Sequence, residues 1–349
     1  MMKKCLLSAA FVLGIHSTTS FAQAIVVSAP PEDETLTQAF LDADTLFAAR
    51  DQSPDHGLAN TLAAKAAYQK IIDDGAAGAD LPRAVERLAR TYYFQGEVLI
   101  GKTTDAEKKE RKAIFRECWE KAITPLSVDN LGTESPIYFY FRASCMAREA
   151  EVSSVLERLL ALPKLLATFK DATEAFAPVK LADGTLQLNP NSFFEGGGIA
   201  RVQAAVKGNP EAKGLPGGLF NPEVALSLVD GSIASKGDIV KVEQVPGAVP
   251  VALVDTDDSV SGYTLGKFYC ENYYRKAITL SVIDGKRADA IALAQTTVDT
   301  FTQYLTLDAD GNLTEKHITE DIRAETQHCV EEVSKFKATQ EALLAAATH

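Results

Sequence analysis

The sequence lacks the residue patterns that mark most enzymes and metal sites. None of its five histidines pairs with a second ligand at a metal-binding spacing, and His328 and Cys329 are adjacent, so they cannot share one helix face. There is no G-x-S-x-G, H-E-x-x-H or P-loop motif. The segment 308–312 begins like a calcium loop, but Leu313 and Thr319 stand where glycine and glutamate are needed. We therefore expect a non-enzymatic protein with no metal or cofactor.

Long apolar runs are absent after the N-terminus, where no stretch approaches 18 apolar residues, so we expect no membrane span. At the N-terminus, Lys3 and Lys4 precede a short apolar run, and Ala22-Gln23-Ala24 forms a small-x-small site. This order predicts a signal peptide over 1–24, cleaved after Ala24, and hence a periplasmic protein. A first buried helix is the alternative. Cys5 precedes the apolar run, so it is not a lipoprotein cysteine.

Positive charge is scarce. The chain has 35 Lys and Arg against 47 Asp and Glu, and the net charge of −12 becomes −14 once Lys3 and Lys4 leave with the signal peptide. A strongly acidic surface disfavours nucleic acids and anionic membranes as partners. About 325 residues would remain, which is enough for two cores or one elongated repeat array.

Cysteine is rare, and the absence of a C-x-x-C pair weakens a zinc or thiol-redox hypothesis. Cleavage would leave Cys118, Cys145, Cys270 and Cys329. An even number in an oxidising compartment suggests disulfides, although four cysteines allow three connectivities and four buried free thiols are the alternative. We predict that Cys118 pairs with Cys145, if their helices are antiparallel neighbours, at a stabilisation of roughly 3–4 kcal/mol. Cys270 would then pair with Cys329 and tie the C-terminal helix to the preceding ones.

Apolar residues recur at helical spacing over most of the remaining chain, and no sustained period-two pattern indicates a large sheet. The first such face consists of four residues spaced three or four apart: Leu36, Phe40, Ala43 and Phe47. A further helix is predicted over 151–169, bent or broken near Pro163. Residues 178–190 are predicted to be irregular.

Several predicted helices form consecutive pairs, such as Phe268–Ile283 with Arg287–Leu305. Helix pairs that cannot bury their apolar faces alone stack into arrays. We therefore predict an all-α fold, a degenerate tetratricopeptide-like helix-pair array. It would follow a leader at 25–33, form a single domain over 34–349, and carry a small irregular or β insert at about 236–262.

A glycine-rich block carries the most specific pattern in the sequence. Phe193, Phe194 and Glu195 precede the triplet Gly196–Gly198, which is followed by apolar residues at helical spacing. Leu215–Gly218 forms a second glycine turn. Asn221 and Pro222 then make a good N-cap and first helical residue.

This block resembles the T component of tripartite ATP-independent periplasmic (TRAP) transporters. That family has a glycine triplet that opens a helix, then an arginine, then a Pro-Gly-Gly turn before a tetratricopeptide-like helix. The matching residues here are Gly196–Gly198, Arg201 and Leu215–Gly218. Glu271–Tyr274, with the Gly285–Arg287 joint after it, is similar to the family's last repeat.

The resemblance implies a periplasmic helical protein with a central pore, which partners a solute-binding protein. Two features depart from the family pattern. The lipobox that many members carry is missing, which puts membrane tethering in doubt. The insert at 236–262 has no counterpart and can alter the pore or the partner surface.

The glycine block also supplies candidate ligand-binding residues. Glycines let another chain or a ligand approach closely, and free N–H groups at a helix start can bind an anion, with Arg201 one turn further on. The alternative is a tight turn in which Arg201 makes a structural salt bridge. In the run 138–141, aromatic side chains can line an apolar pocket, or simply pack in the core. The candidate ligand-binding residues are Phe193, Phe194, Gly196, Gly197, Gly198, Arg201, Tyr138 and Tyr140.

Two function classes follow. The first is a protein that binds a small apolar or amphipathic ligand, such as a carboxylate, or hands it to a solute-binding protein. The second is an envelope scaffold that holds other proteins in helix-pair grooves, with a homo-oligomer possible in either case. A closed pore with an apolar lining would favour the first class, and an open groove with a charged lining the second.

Export gives the first testable prediction. Because the signal peptide is removed after Ala24, mass spectrometry of a periplasmic extract should find a mature N-terminus at Ile25 and no attached lipid. Recovery of the chain with Met1 intact in the soluble envelope fraction would contradict it.

Overall fold

The computed structural model describes residues 37–50, 57–75, 80–126, 135–177, 179–180, 186–187, 194–213, 219–234, 266–315, 317–318 and 320–347, with residues 131, 189 and 192. The predicted signal peptide, leader and insert lie outside them, as do Phe193 and the Leu215–Gly218 turn. The described part is predominantly helical, which confirms the all-α class.

Eleven α-helices build the described part. They are α1 Gln38–Ala48, α2 Leu58–Asp73, α3 Asp80–Phe94, α4 Asp105–Arg116, α5 Pro136–Glu151, α6 Val155–Ala175, α7 Phe194–Lys207, α8 Pro222–Ala234, α9 Cys270–Ser281, α10 Arg287–Tyr304 and α11 Glu320–Ala347. Short π-helical segments, Gln95–Leu99 and Glu117–Ile123, extend α3 and α4. Within the predicted irregular stretch, two-residue strands β1 Val179–Lys180 and β2 Leu186–Gln187 pair antiparallel.

Side-chain caps define several helix starts. Ser135 caps α5 with Pro136 at the first helical position. Ser154 and Glu157 form a capping box at the start of α6. The helix predicted over 151–169 is therefore wrong at its start. Glu151 is the last residue of α5, and the capping box begins α6 at Val155. The predicted break near Pro163 is wrong as well, since α6 continues through it to Ala175.

Consecutive helices pack against one another along the chain: α1 on α2, α2 on α3, α5 on α6, α7 on α8, α9 on α10 and α10 on α11. Four apolar clusters lie between them in the described part, and one of these contains the whole run Tyr138–Phe141. A buried ion pair between Arg50 and Glu325, 2.6 Å apart, joins the end of α1 to α11. No helix within the described ranges combines the length and the apolar character that a membrane crossing requires.

Both predicted cysteine pairings are confirmed. Cys118, in the π-helical segment after α4, bonds to Cys145 in α5, with 6.1 Å between their Cα atoms. Cys270 at the start of α9 bonds to Cys329 in α11, with Cα atoms 6.2 Å apart. These Cα separations are typical of disulfides, so the alternative of four free thiols is wrong.

The longer disulfide loop should contribute more stability. It spans 59 residues against 27 for the other, so on the chain-entropy model the two bonds stabilise by about 4 and about 3.5 kcal/mol. The double variant Cys270→Ala/Cys329→Ala should therefore lose about 4 kcal/mol of unfolding free energy in urea titration. Cys118→Ala/Cys145→Ala is the matched control, and a clearly larger loss in the control would contradict the ranking.

Candidate functional site

The glycine block forms a left-handed turn, which corrects the expectation that the triplet opens a regular helix. Glu195, Gly196 and Gly197 have φ values of 54°, 60° and 82°, and regular helical backbone of α7 follows them. A non-glycine residue rarely adopts this conformation, so Glu195 must be held there by its surroundings.

The turn is tightly packed. A Cβ atom on Gly197 would lie 2.6 Å from Ser232 Oγ of α8, and one on Gly196 would lie 2.8 Å from the ring of Tyr269. Ser232 also donates a hydrogen bond of 3.4 Å to the Gly197 carbonyl. Neighbouring side chains therefore occupy the space that glycine leaves open.

Arg201 is the centre of a buried hydrogen-bond network, with only 4% of its surface exposed. Its guanidinium donates to the Glu195 carbonyl at 2.8 Å, to Asn272 Oδ1 at 3.1 Å and to Tyr140 Oη at 2.9 Å. It also forms an ion pair of 3.2 Å with Glu271. The structural salt bridge given above as the alternative role of Arg201 is thus present.

Asn272 completes this network from α9. Its Nδ2 donates hydrogen bonds of 2.9 Å to the carbonyls of Gly196 and Gly266. The Glu195 carboxylate, also buried, pairs with Arg90 of α3. Burial raises the pKa of Glu195 to about 7 despite the opposing charge of Arg90.

Beside Arg201 lies a polar cavity of about 50 Å³, at the meeting point of α3, α5, α7, α9 and α11. Helical spacing explains its lining, because residues three or four apart point to the same side. From α5 come Tyr140, Ser144, Arg148 and Glu151; from α9, Glu271, Tyr274 and Arg275; and from α11, His328 and Glu332. Tyr93 and Glu97 contribute from α3 and the segment after it.

The four carboxylates of the polar cavity each have a cation close by. Glu151 lies 2.9 Å from Arg148, Glu271 lies 3.2 Å from Arg201, and Glu332 lies 3.0 Å from Lys335. Glu97 is paired most heavily, with Arg111 at 2.7 Å and Lys102 at 2.9 Å. Although burial opposes ionisation, these cations and Arg148 lower the pKa of Glu97 to about 2.

Arg275 differs from the other cations of the cavity. Its guanidinium makes no hydrogen bond or ion pair with any residue that the structure describes. Burial, and then the like charge of Arg148, lower the pKa of Arg275 from its usual value, while the charge of Glu151 opposes them. Arg148 itself donates to Tyr93 Oη at 2.9 Å and to Glu151 at 2.9 Å.

Two further polar atoms of this lining are buried without a partner among the described residues. They are Ser144 Oγ and His328 Nε2. Burial, followed by the charge of Lys102, lowers the pKa of His328, so its ring is neutral at pH 7. Buried polar groups without partners are rare in folded proteins, so such atoms indicate a place where water or a ligand binds.

An apolar groove of about 90 Å³ adjoins the polar cavity between α5, α6 and α7. Its apolar lining includes Met146, Ala161, Leu162, Leu165, Val206 and Leu219. The two spaces share Ala147, Glu151 and Ala205. We call the polar cavity and the apolar groove together the amphipathic cleft.

Of the predicted ligand-binding residues, Tyr140 and Arg201 line the polar cavity. Phe194, Tyr138 and the glycine triplet line neither part of the amphipathic cleft. Phe193 lies outside the described residues.

Sequence reasoning missed Arg148 and Arg275. For Arg148 a signal existed, because Tyr140, Ser144 and Arg148 place three polar groups at four-residue spacing on a helix that is otherwise buried. Arg275 directly follows the Glu271–Tyr274 run, and no pattern in the sequence distinguishes it.

Comparison of this chain with protein-family models, with curated proteins and with solved structures finds no match. In the part of the chain that the structure describes, no group of three or more His, Cys, Asp or Glu side chains is placed to hold a metal ion. The geometry of the amphipathic cleft is therefore the basis for a functional proposal.

The packing of the left-handed turn can be tested with two glycines of positive φ. Gly285 has φ 75° and open space around its Cβ position, whereas Gly197 has φ 82° and the Ser232 contact. Gly285→Ala should cost about 1 kcal/mol from backbone strain alone. Gly197→Ala should cost about 3 kcal/mol, because overpacking adds to the strain. Equal losses in urea titration would mean that Ser232 moves away freely.

Proposed function

We propose that this chain is a non-enzymatic, exported helical-repeat protein that binds a small amphipathic ligand in the amphipathic cleft. The supporting observation is the junction of a charged cavity with an apolar groove at Ala147, Glu151 and Ala205. Ligand sites are typically apolar with a few polar groups that orient the ligand, and this cleft has both parts.

The size of the cleft supports a small ligand. One water needs about 10–15 Å³ on this measure, so the polar cavity of about 50 Å³ has room for a head group of about four heavy atoms. On the same scale the apolar groove of about 90 Å³ accepts a chain of about six. A partner helix is about 10 Å wide and would not fit either space.

The resemblance to the TRAP transporter T component agrees with this proposal. In that family a periplasmic protein of tetratricopeptide-like helix pairs is thought to partner a solute-binding protein. Here helix pairs α7–α8 and α9–α10 stand beside the polar cavity, and Arg201 of the matching block lines it. Transfer of the ligand to a periplasmic solute-binding protein is the role we propose.

A scaffold that holds other envelope proteins is the second candidate. It is favoured by an exposed apolar patch on the first turns of α6, where Val155, Leu156 and Leu160 are 64%, 66% and 73% exposed. Exposed apolar patches commonly mark contacts with other proteins. The same patch is also compatible with docking of a solute-binding protein onto a ligand-loaded chain.

Filling the groove tests the ligand proposal. Ala161 lines the apolar groove and Ala167 does not, while both are exposed on α6, so tryptophan should be tolerated at either position. Titration calorimetry would use three probes with the same tail: octanoate, 1-octanol and octylamine. Ala161→Trp should weaken binding of whichever probe binds by at least about tenfold, since the bulky ring occupies the tail site.

Ala167→Trp is the control and should bind as the wild type does. Failure of all three probes to bind the wild type, or equal binding by both variants, would rule out the amphipathic cleft as the site. The scaffold would then be the preferred function.

A further inference from the structure

We infer that Arg275 recognises the head group of the ligand, and that this head group is a single carboxylate. The inference rests on the proposed function and deepens it by naming the ligand class: a monocarboxylate with an apolar chain. It is carried by the position of Arg275, which lines the polar cavity and makes no hydrogen bond or ion pair with any described residue.

The pairing of charges identifies the site. Each of the four carboxylates that line the polar cavity forms an ion pair with a cation other than Arg275. Arg275 lines the same cavity and makes no hydrogen bond or ion pair with any described residue. An arginine offers five N–H donors in a planar fork that matches the two oxygens of a carboxylate.

The position of Arg148 strengthens this requirement for an anion. Arg148 and Arg275 line the same small cavity, and the charge of Arg148 contributes to the lowered pKa of Arg275. Two like charges in a partly desolvated space repel each other, and an anion bound there offsets both the repulsion and the lost hydration. Arg148 is restrained by Tyr93 and Glu151, which leaves the guanidinium of Arg275 to adapt to the ligand.

Neutral polar groups are available for the same head group. The Ser144 hydroxyl and the neutral ring of His328 line the cavity and have buried atoms without a partner among the described residues. The hydroxyl can donate a hydrogen bond to a carboxylate oxygen, and the imidazole can do so through the ring nitrogen that carries its proton. A bound carboxylate would thus satisfy groups that otherwise stay unpaired in the interior.

The same charges select against other head groups. Four glutamates surround the cavity, so a dianion such as a phosphate monoester or a dicarboxylate would meet more electrostatic repulsion there than a single carboxylate does. An ammonium group would face Arg275 with every carboxylate already paired. An alcohol would leave the charge of Arg275 uncompensated.

Two variants of neighbouring residues on α9 separate local recognition from bulk charge. Arg275→Gln removes the cation in the cavity, whereas Lys276→Gln removes a cation that pairs with Asp230 at 2.6 Å, outside the cavity lining. Titration calorimetry with octanoate should show an affinity loss of at least about 30-fold for Arg275→Gln, because a charge-assisted contact is lost. Lys276→Gln should change the affinity less than about twofold.

The fold and the tail site serve as further controls. Arg275 makes no hydrogen bond or ion pair with a described residue, so Arg275→Gln should leave the thermal midpoint of the ligand-free protein close to that of the wild type. The relative affinity for octanoate over 1-octanol should fall in Arg275→Gln, since the alcohol does not use the charge. Succinate and inorganic phosphate should bind the wild type more weakly than octanoate.

The inference is overturned if Arg275→Gln binds octanoate as tightly as the wild type, or if Lys276→Gln weakens octanoate binding as much as Arg275→Gln does. It is also overturned if succinate or phosphate binds the wild type more tightly than octanoate. A different result would overturn only the carboxylate inference: 1-octanol or octylamine binds, octanoate does not, and Ala161→Trp weakens the binding. The amphipathic cleft would then still be the ligand site. Binding of none of these amphiphiles would remove both.

Discussion

Arg201 carries a full charge in a position almost closed to water, and this constraint organises the middle of the molecule. A buried guanidinium must find partners for its donors, because unpaired burial of a charge is strongly unfavourable. Its partners come from three helices: Tyr140 from α5, the Glu195 carbonyl from α7, and Glu271 with Asn272 from α9. The network therefore fixes the mutual positions of segments that are far apart in sequence.

The left-handed turn at Glu195–Gly197 follows from the same constraint. It directs the Glu195 carbonyl at Arg201 and the Gly196 carbonyl at Asn272, while the Glu195 carboxylate reaches Arg90 on α3. Glycine is required where Ser232 and Tyr269 approach the backbone most closely. The strained backbone at Glu195 is thus compensated by the hydrogen bonds and the ion pair that hold it.

The polar cavity exists because these helices meet without filling the space between them. Each carboxylate of its lining lies close to a cation, Arg275 makes no ion pair with a described residue, and the adjoining groove is mainly apolar. A cation without an ion pair beside a mainly apolar groove is an arrangement that suits an amphipathic anion. Arg201 supports this site from its edge, with its own donors already engaged.

Local features could be determined from the sequence alone. The spacing of Phe40, Ala43 and Phe47 indicated the helix α1, and Ser135-Pro136 indicated the start of α5. The even number of cysteines indicated disulfides. These signals depend on residues within a few helical turns or on composition. The start of α6 was predicted too early, at Glu151, although the capping box at Ser154 and Glu157 is a local signal of the true start. Only the tertiary structure decided which polar residues face one another. Tyr140, Arg275 and His328 come from distant helices, and many rotations and pairings of amphipathic helices fit one sequence pattern until long-range packing selects one of them.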